Sequence, residues 1–218
     1  MQMPRFLSSF SPHEGVCAAF VGRVEGVEGS RDKDEAVARL RPAHEAAVRD
    51  LGFSWSQLHM AEQVHGADLA IVKGGDTDQI SMGVDGLITS EQGVLLGIYV
   101  ADCGAVYIHD PVRGVIALLH SGKKGTEGNI TGVAIEMMVD AFGSSPKDIR
   151  VALSPCIRPP HYEVDFASQI RRQVLNAGVP AEQFADSHIC TASDARAYYS
   201  YRREMGKTGR MLALLGRV

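Results

Sequence analysis

His65, Cys103 and His120 stand out because of where they fall. His65 breaks EQVHGADL, Cys103 breaks VADCGAV, and His120 ends VIALLH just before a basic, glycine-rich stretch. Each interrupts or ends a strand-like apolar run, beside a glycine or one residue from it. Strand ends that meet loops are where sites are usually built. If the three ends converge, they offer two imidazoles and one thiolate. Three such ligands with a fourth position open for water is the pattern of catalytic zinc. The spacings are long, and no short ligand pair such as C-x-x-C or H-E-x-x-H anchors them. Taken singly, each residue also fits a packed core histidine or thiol. The same three residues would equally serve a metal-free hydrolase, with Cys103 as nucleophile and His65 or His120 as base.

Other polar residues surround this set in sequence. Asp102 precedes Cys103; on a regular strand it would point to the opposite face, so as a proton carrier it needs a bulge to re-aim it, and it otherwise binds backbone. Lys123 and Lys124 lie in SGKKGTEGN, read as a loop whose amides, with Gly122 and Gly128, could cradle an anion before the next helix. Arg202 and Arg203 in SYRR alternate faces if extended, so at most one reaches a shared site. Cys156 and Cys190 read as core thiols. His13, His44, His59, His109, His161 and His188 have no comparable setting and read as surface or structural.

The elements that must hold these residues follow from periodicity and turn residues. Helical spacing runs over 34–51, where Pro42 should kink or divide the helix. Residues 57–72 look extended, with a break at His65–Gly66. Strands are expected over 85–89, 94–100, 105–108, 114–120, 150–153 and 210–215. DPVRG, at 110–114, should turn one of them back on the next. A helix after residue 129 shows Val133, Ala134, Met137, Met138 and Ala141 on one face. Another spans 166–177, with Gly178 as its stop. Adjacent strands mixed with strand–helix alternation indicate an α+β (mixed α/β) layered fold. No linker divides the chain, so one domain over 1–218 is expected.

Bulk properties exclude some classes. The chain has 218 residues and a net charge of −4, with 45 % hydrophobic and 22 % charged residues. That balance gives no footprint for nucleic acid or an anionic membrane. No apolar stretch approaches a membrane span, and the N-terminus lacks the apolar core of a signal peptide, so a cytoplasmic protein is expected. Its 4 cysteines are far apart, unlike a disulfide framework.

Several short motifs occur in a fixed order: EQVHG, DGLIT, ADC, a strand ending H-x-G-x-x-G at His120, Gly122 and Gly125, SPCI at 154–157, and SYRR…TGRM at 200–211. Together they resemble the YfiH family, also called the multicopper polyphenol oxidase or laccase-domain family, over about residues 58–218. The resemblance implies layered sheets flanked by helices. It implies zinc bound by His65, Cys103 and His120, with copper the alternative in the older label. It implies phosphorolysis of adenosine, inosine, guanosine or methylthioadenosine, and deamination of adenosine, so that purine nucleoside and phosphate are the partners. Zinc lowers the pKa of bound water to about 7, which suits attack at a purine C6. Lys123, Lys124 and Arg202 would meet phosphate. The chain departs from the family where HSGKKG replaces HAGWRG, where ADCGAV replaces ADCLPV, where Ala43 and His44 stand near the place of an Asn-Arg pair, and in a shorter segment after YEV at 162–164. Copper also takes a His2Cys set with a weak axial ligand, but no two of the 8 histidines lie two apart, as trinuclear copper clusters need.

Overall fold

The computed structural model describes residues 4–11, 15–75 and 79–218; His13 lies outside them. The strands form two mixed sheets. The first has the order β1 (Val16–Val21), β11 (Met211–Arg217), β6 (Leu95–Val100), β2 (Leu58–Ala61), β4 (Ile80–Ser81). The second has the order β10 (Phe184–Asp186), β9 (Arg150–Leu153), β7 (Gly104–Asp110), β8 (Val115–Ser121), β5 (Gly86–Thr89), β3 (Leu69–Ile71). The helices are α1 (Lys33–Asp50), α2 (Lys123–Glu127), α3 (Ile130–Phe142) and α4 (Phe166–Asn176).

Side-chain alternation sorts these elements into layers. From β6, Leu96 and Ile98 face a core shared with Tyr107 of β7 and Ile116 and Leu118 of β8. Val106, Ile108, Ala117 and Leu119, on the opposite face of the second sheet, pack on Ala134, Ile135 and Met138 of α3 and on Phe166 and Ile170 of α4. Leu95, Leu212 and Leu214, on the outer face of the first sheet, pack with Ala47 and Val48 of α1. The order is therefore helix, sheet, sheet, helix pair, the mixed α/β layering expected. Being covered on both faces, β7 and β8 are buried at every position, which is why they read as apolar runs without alternation. The Tyr107 hydroxyl donates to the Ala19 carbonyl at 2.7 Å and ties the two sheets together.

The DPVRG turn joins β7 and β8 in antiparallel register from Gly104↔Ser121 to Asp110↔Val115. Asp110 accepts from the Val112 and Arg113 amides, and Gly114 supplies the positive φ of 64°. Two expectations need correction. Pro42 neither kinks nor divides α1, which runs unbroken through it. Pro42 and Ala38 are both exposed, so the carbonyl that loses its donor faces water. In α3 the buried stripe is Ile130, Thr131, Ala134, Ile135 and Met138, with Ala141 exposed. The large Ile130 and Ile135 turn the helix by about one residue from the expected face. Among the described residues, no helix is long and apolar enough to cross a membrane.

Candidate metal centre

The chain passes from the first sheet to the second at three places, between β2 and β3, between β4 and β5, and between β6 and β7, and the first and last of these carry ligands. His65 lies on one crossover and Cys103 on the other. His120, near the end of β8, meets them. The ligand atoms of His65, Cys103 and His120 all lie within 4.8 Å of one another, and the two imidazole rings stand at 85° with centroids 4.8 Å apart. The Asp-Cys break in an otherwise buried segment is thus the point where the backbone leaves one sheet for the other.

Each crossover is held in an uncommon conformation. Gln63, His65 and Asp102 have φ of 67°, 64° and 86°, a region that L-residues seldom adopt and that marks functional sites when the surroundings enforce it. Asp85, fully buried at the start of the DGLIT strand, enforces the His65 turn. Its carboxylate accepts from the His65 amide at 2.9 Å and the Gly66 amide at 2.6 Å. The same carboxylate lies 2.7 Å from His120 Nδ1. An ionised carboxylate only accepts, so Nδ1 carries a proton and Nε2 is the nitrogen left to ligate a metal. This is the carboxylate–histidine arrangement that orients metal ligands. Burial pushes the Asp85 carboxyl up, but His120 and the two amides more than offset it and hold it below the usual value.

Burial would likewise raise the Cys103 thiol; the charge of His120 and hydrogen bonds from His120 and His65 bring it down to about 6. Burial lowers His120, and the Cys103 thiolate and Asp85 carry it back up to about 9. The site therefore favours the deprotonated sulfur that a metal or an electrophile needs. Two imidazole nitrogens and a thiolate suit a borderline-soft ion, so these three residues form a possible metal site.

The glycines of H-x-G-x-x-G have a spatial reason. A Cβ on Gly122 would lie 2.5 Å from Cys103 Sγ, and one on Gly125 would lie 3.0 Å from the Gly66 carbonyl oxygen. Residues 123–127, expected as a loop, form the short helix α2, and the amides of Thr126, Gly128 and Asn129 are spent on internal hydrogen bonds. Those three amides are therefore not open to an anion. Lys123 and Lys124 of α2 line an open cavity of about 860 Å³ together with His65, Cys103, His120 and Arg202.

Asp102 does turn toward this cavity, through its positive φ, but both of its oxygens are engaged. Oδ1 accepts from the Thr191 hydroxyl at 2.7 Å and Oδ2 from the Arg202 amide at 2.7 Å. It binds the Thr191 and Arg202 segments to the crossover, the backbone-binding alternative to a proton carrier. Arg202 lines the cavity, yet its guanidinium lies 4.9 Å over the Tyr162 ring and pairs with Glu163 at 2.7 Å. Arg203 turns away to the Ala192 carbonyl. SYRR is a turn rather than a strand, and one of the two arginines reaches the cavity. Cys156 is buried as expected, whereas Cys190 is half-buried beside His161. His44, His59 and His109 are buried, and His161 and His188 exposed.

Sequence reasoning missed Asp85 as the residue that orients His120, and Lys33, Gln63, Tyr99 and Arg210 as cavity walls. For Asp85 there was a signal: a lone acid opening an apolar strand just before a glycine. The others come from distant parts of the chain and carry none.

This corner at a double crossover between two helix-covered sheets places the chain among known proteins. It belongs to the family described as multi-copper polyphenol oxidoreductase laccase, whose model matches residues 8–169 and 161–217. It is 33 % identical over 204 residues to the purine nucleoside phosphorylase YlmD of Geobacillus stearothermophilus, covering 77 % of this chain and 74 % of that one. The crystal structure of YlmD from that organism superposes with a TM-score of 0.84, covering 96 % of this chain and 93 % of the other. A purine nucleoside phosphorylase of Deinococcus radiodurans is 33 % identical over 236 residues, covering 94 % and 91 % of the two chains. Adenosine deaminase RL5 of an unknown prokaryotic organism is 26 % identical, covering 81 % of each.

Proposed function

We propose that the chain is a zinc-dependent purine nucleoside phosphorylase acting on adenosine, inosine, guanosine or methylthioadenosine. The observation that carries this reading is the His65–Cys103–His120 cluster, with His120 oriented by Asp85. The phosphorylases named among its relatives support the substrate class. His65, Cys103 and His120 would hold the zinc, which when bound supplies Lewis acidity and lowers the pKa of water. Lys123 and Lys124, on the α2 wall, hold orthophosphate as point charges, and Arg202 adds a nitrogen where Glu163 leaves one free. Tyr162 and Phe166 give the base an apolar wall. An orthophosphate oxygen then bonds to C1′ as the C1′–N9 bond breaks with its electron pair going to N9, and the proton given up by the orthophosphate passes to the purine, giving a pentose 1-phosphate and the free base. Asp102 positions the Arg202 segment instead of moving the proton.

Adenosine deamination is a second reading, supported by RL5. The two are separated by products. Adenosine incubated with phosphate should give adenine and ribose 1-phosphate at a rate that depends on phosphate. Inosine and ammonia formed equally well without phosphate would replace phosphorolysis by deamination. Oxidation of a phenol with copper bound would restore the older label. Activity of the metal-free protein, lost on alkylating Cys103, would leave a cysteine hydrolase.

A further inference from the structure

The phosphorylase reading uses one side of the cavity. It places orthophosphate on α2, beside the second sheet. The opposite wall comes from the first sheet and its helix: Lys33 opens α1, Tyr99 is on β6, and Arg210 immediately precedes β11. This wall also carries positive charge that no described carboxylate pairs. Arg210 is half-buried; among the described residues its side chain donates to the carbonyl of its neighbour Gly209, at 2.9 Å, and makes no ion pair with a carboxylate. Among the described residues, Lys33 Nζ donates to the Glu62 carbonyl alone, at 3.4 Å. Half-buried guanidinium groups are normally paired, because desolvating an unpaired charge is costly. Asp102, the one carboxylate among the described residues lining the cavity, already accepts from Thr191 and Arg202. This excess of cations occurs in a chain whose net charge is −4, so it is local to the cavity, where it attracts anions.

Size points the same way. At about 860 Å³ the cavity is near the top of the ~300–1,000 Å³ range of small-molecule sites, more than a nucleoside and one orthophosphate require. A nucleoside whose glycosidic bond lies at the metal corner has one natural extension that carries negative charge, its 5′ oxygen.

We infer that Arg210 and Lys33 form a second phosphoryl site, and that the cavity takes purine nucleoside 5′-phosphates with the 5′-phosphoryl group on this wall. This rests on the purine nucleoside reading of the metal corner. Phosphorolysis of such a ligand would join an orthophosphate oxygen to C1′, break the bond to N9, and release the base and ribose 1,5-bisphosphate.

Binding tests the inference without requiring turnover. Adenosine, adenosine 5′-monophosphate and orthophosphate are each titrated calorimetrically into full-length wild type, Arg210→Gln and Lys33→Gln. The monophosphate should bind wild type roughly tenfold or more tightly than adenosine, as one charge-assisted contact allows. That advantage should shrink as salt rises. Arg210→Gln should remove most of it and Lys33→Gln, at an exposed position that does not endanger folding, part of it. A monophosphate that binds no better than adenosine overturns the inference. So does an advantage that survives both substitutions. So does an Arg210→Gln effect confined to orthophosphate, which would make this wall the orthophosphate site. Failure here leaves phosphate-dependent cleavage of adenosine untouched. Failure of the phosphorylase reading would instead show as retained monophosphate preference with no cleavage.

Discussion

Cys103 and Cys156 are the same residue in neighbouring places, and their chemistry is opposite. Both follow a buried strand, β6 and β9, and Gly104, next to Cys103, has a missing Cβ that would lie only 3.7 Å from Cys156 Cβ. Yet the thiol of Cys156 is pushed up to about 12, by burial above all, and that of Cys103 is brought down to about 6. Burial opposes ionisation at both. The difference is two imidazoles, one of them fixed by a carboxylate. Position in the fold alone makes an inert thiol; Asp85 and the crossover turns make a ligand.

The largest way to break this comparison is to exchange the two residues' importance. Cys103→Ala should abolish turnover, a loss of about a thousandfold or more, as expected when a group that acts as a unit with others is removed. Cys156→Ala should keep activity within about threefold and cost about 1–2 kcal/mol of stability from the cavity it leaves, read by chemical denaturation. Equal losses of activity would erase the distinction. Next in size is Asp85→Asn, which keeps shape but removes the charge that fixes His120. It should cost about 10–100-fold in metal affinity or activity, measured by competition with a chelator, and about 1–3 kcal/mol of stability, because the new amide nitrogen cannot accept from the buried backbone N–H it faces.

A third test sharpens the comparison by rate. In metal-free protein, iodoacetamide should alkylate Cys103 at pH 7, with a pH profile whose midpoint lies near 6. Cys17, raised to about 11, and Cys156, raised to about 12, should stay unmodified, and peptide mapping decides. Added metal should protect Cys103. The smallest effect lies outside the site. His44, on the buried face of α1 with its ring centroid 5.5 Å from that of Tyr99, is held down to about 4 by burial. The unfolded chain takes up this proton near pH 6.5 and the folded one near 4. Stability due to neutral His44 is therefore complete above pH 6.5 and is lost as pH falls toward 4, by up to about 3 kcal/mol. His44→Leu should flatten that part of the stability–pH curve.

How much of this was legible in the sequence depends on whether the signal was local. The β7–β8 hairpin was, because DPVRG specifies its own turn. The break at Asp102–Cys103 was, because a charge and a thiol do not belong inside a buried strand. β1 was not: VCAAFV is a short apolar run that suits helix or strand alike, and antiparallel pairing with β11 decides it. Pro42 misled because its effect depends on whether the freed carbonyl meets water, which requires knowing the helix face. The basic stretch read as a loop because glycine lowers helix propensity, while the close approach of Gly122 to Cys103 and of Gly125 to the His65 turn requires those glycines. The metal ligands could be proposed but not joined, since their convergence depends on two crossovers between sheets. Asp85 acts through partners 19 to 35 residues away in sequence.

The central claim is that His65, Cys103 and His120 act as one metal-binding unit. It is tested most directly by metal analysis of untagged protein, wild type beside Cys103→Ala, by mass spectrometry. The account predicts about one zinc per chain in wild type, as a single three-ligand site allows, and its loss in the variant. Active wild-type protein without metal, or zinc retained in full by Cys103→Ala, would contradict it.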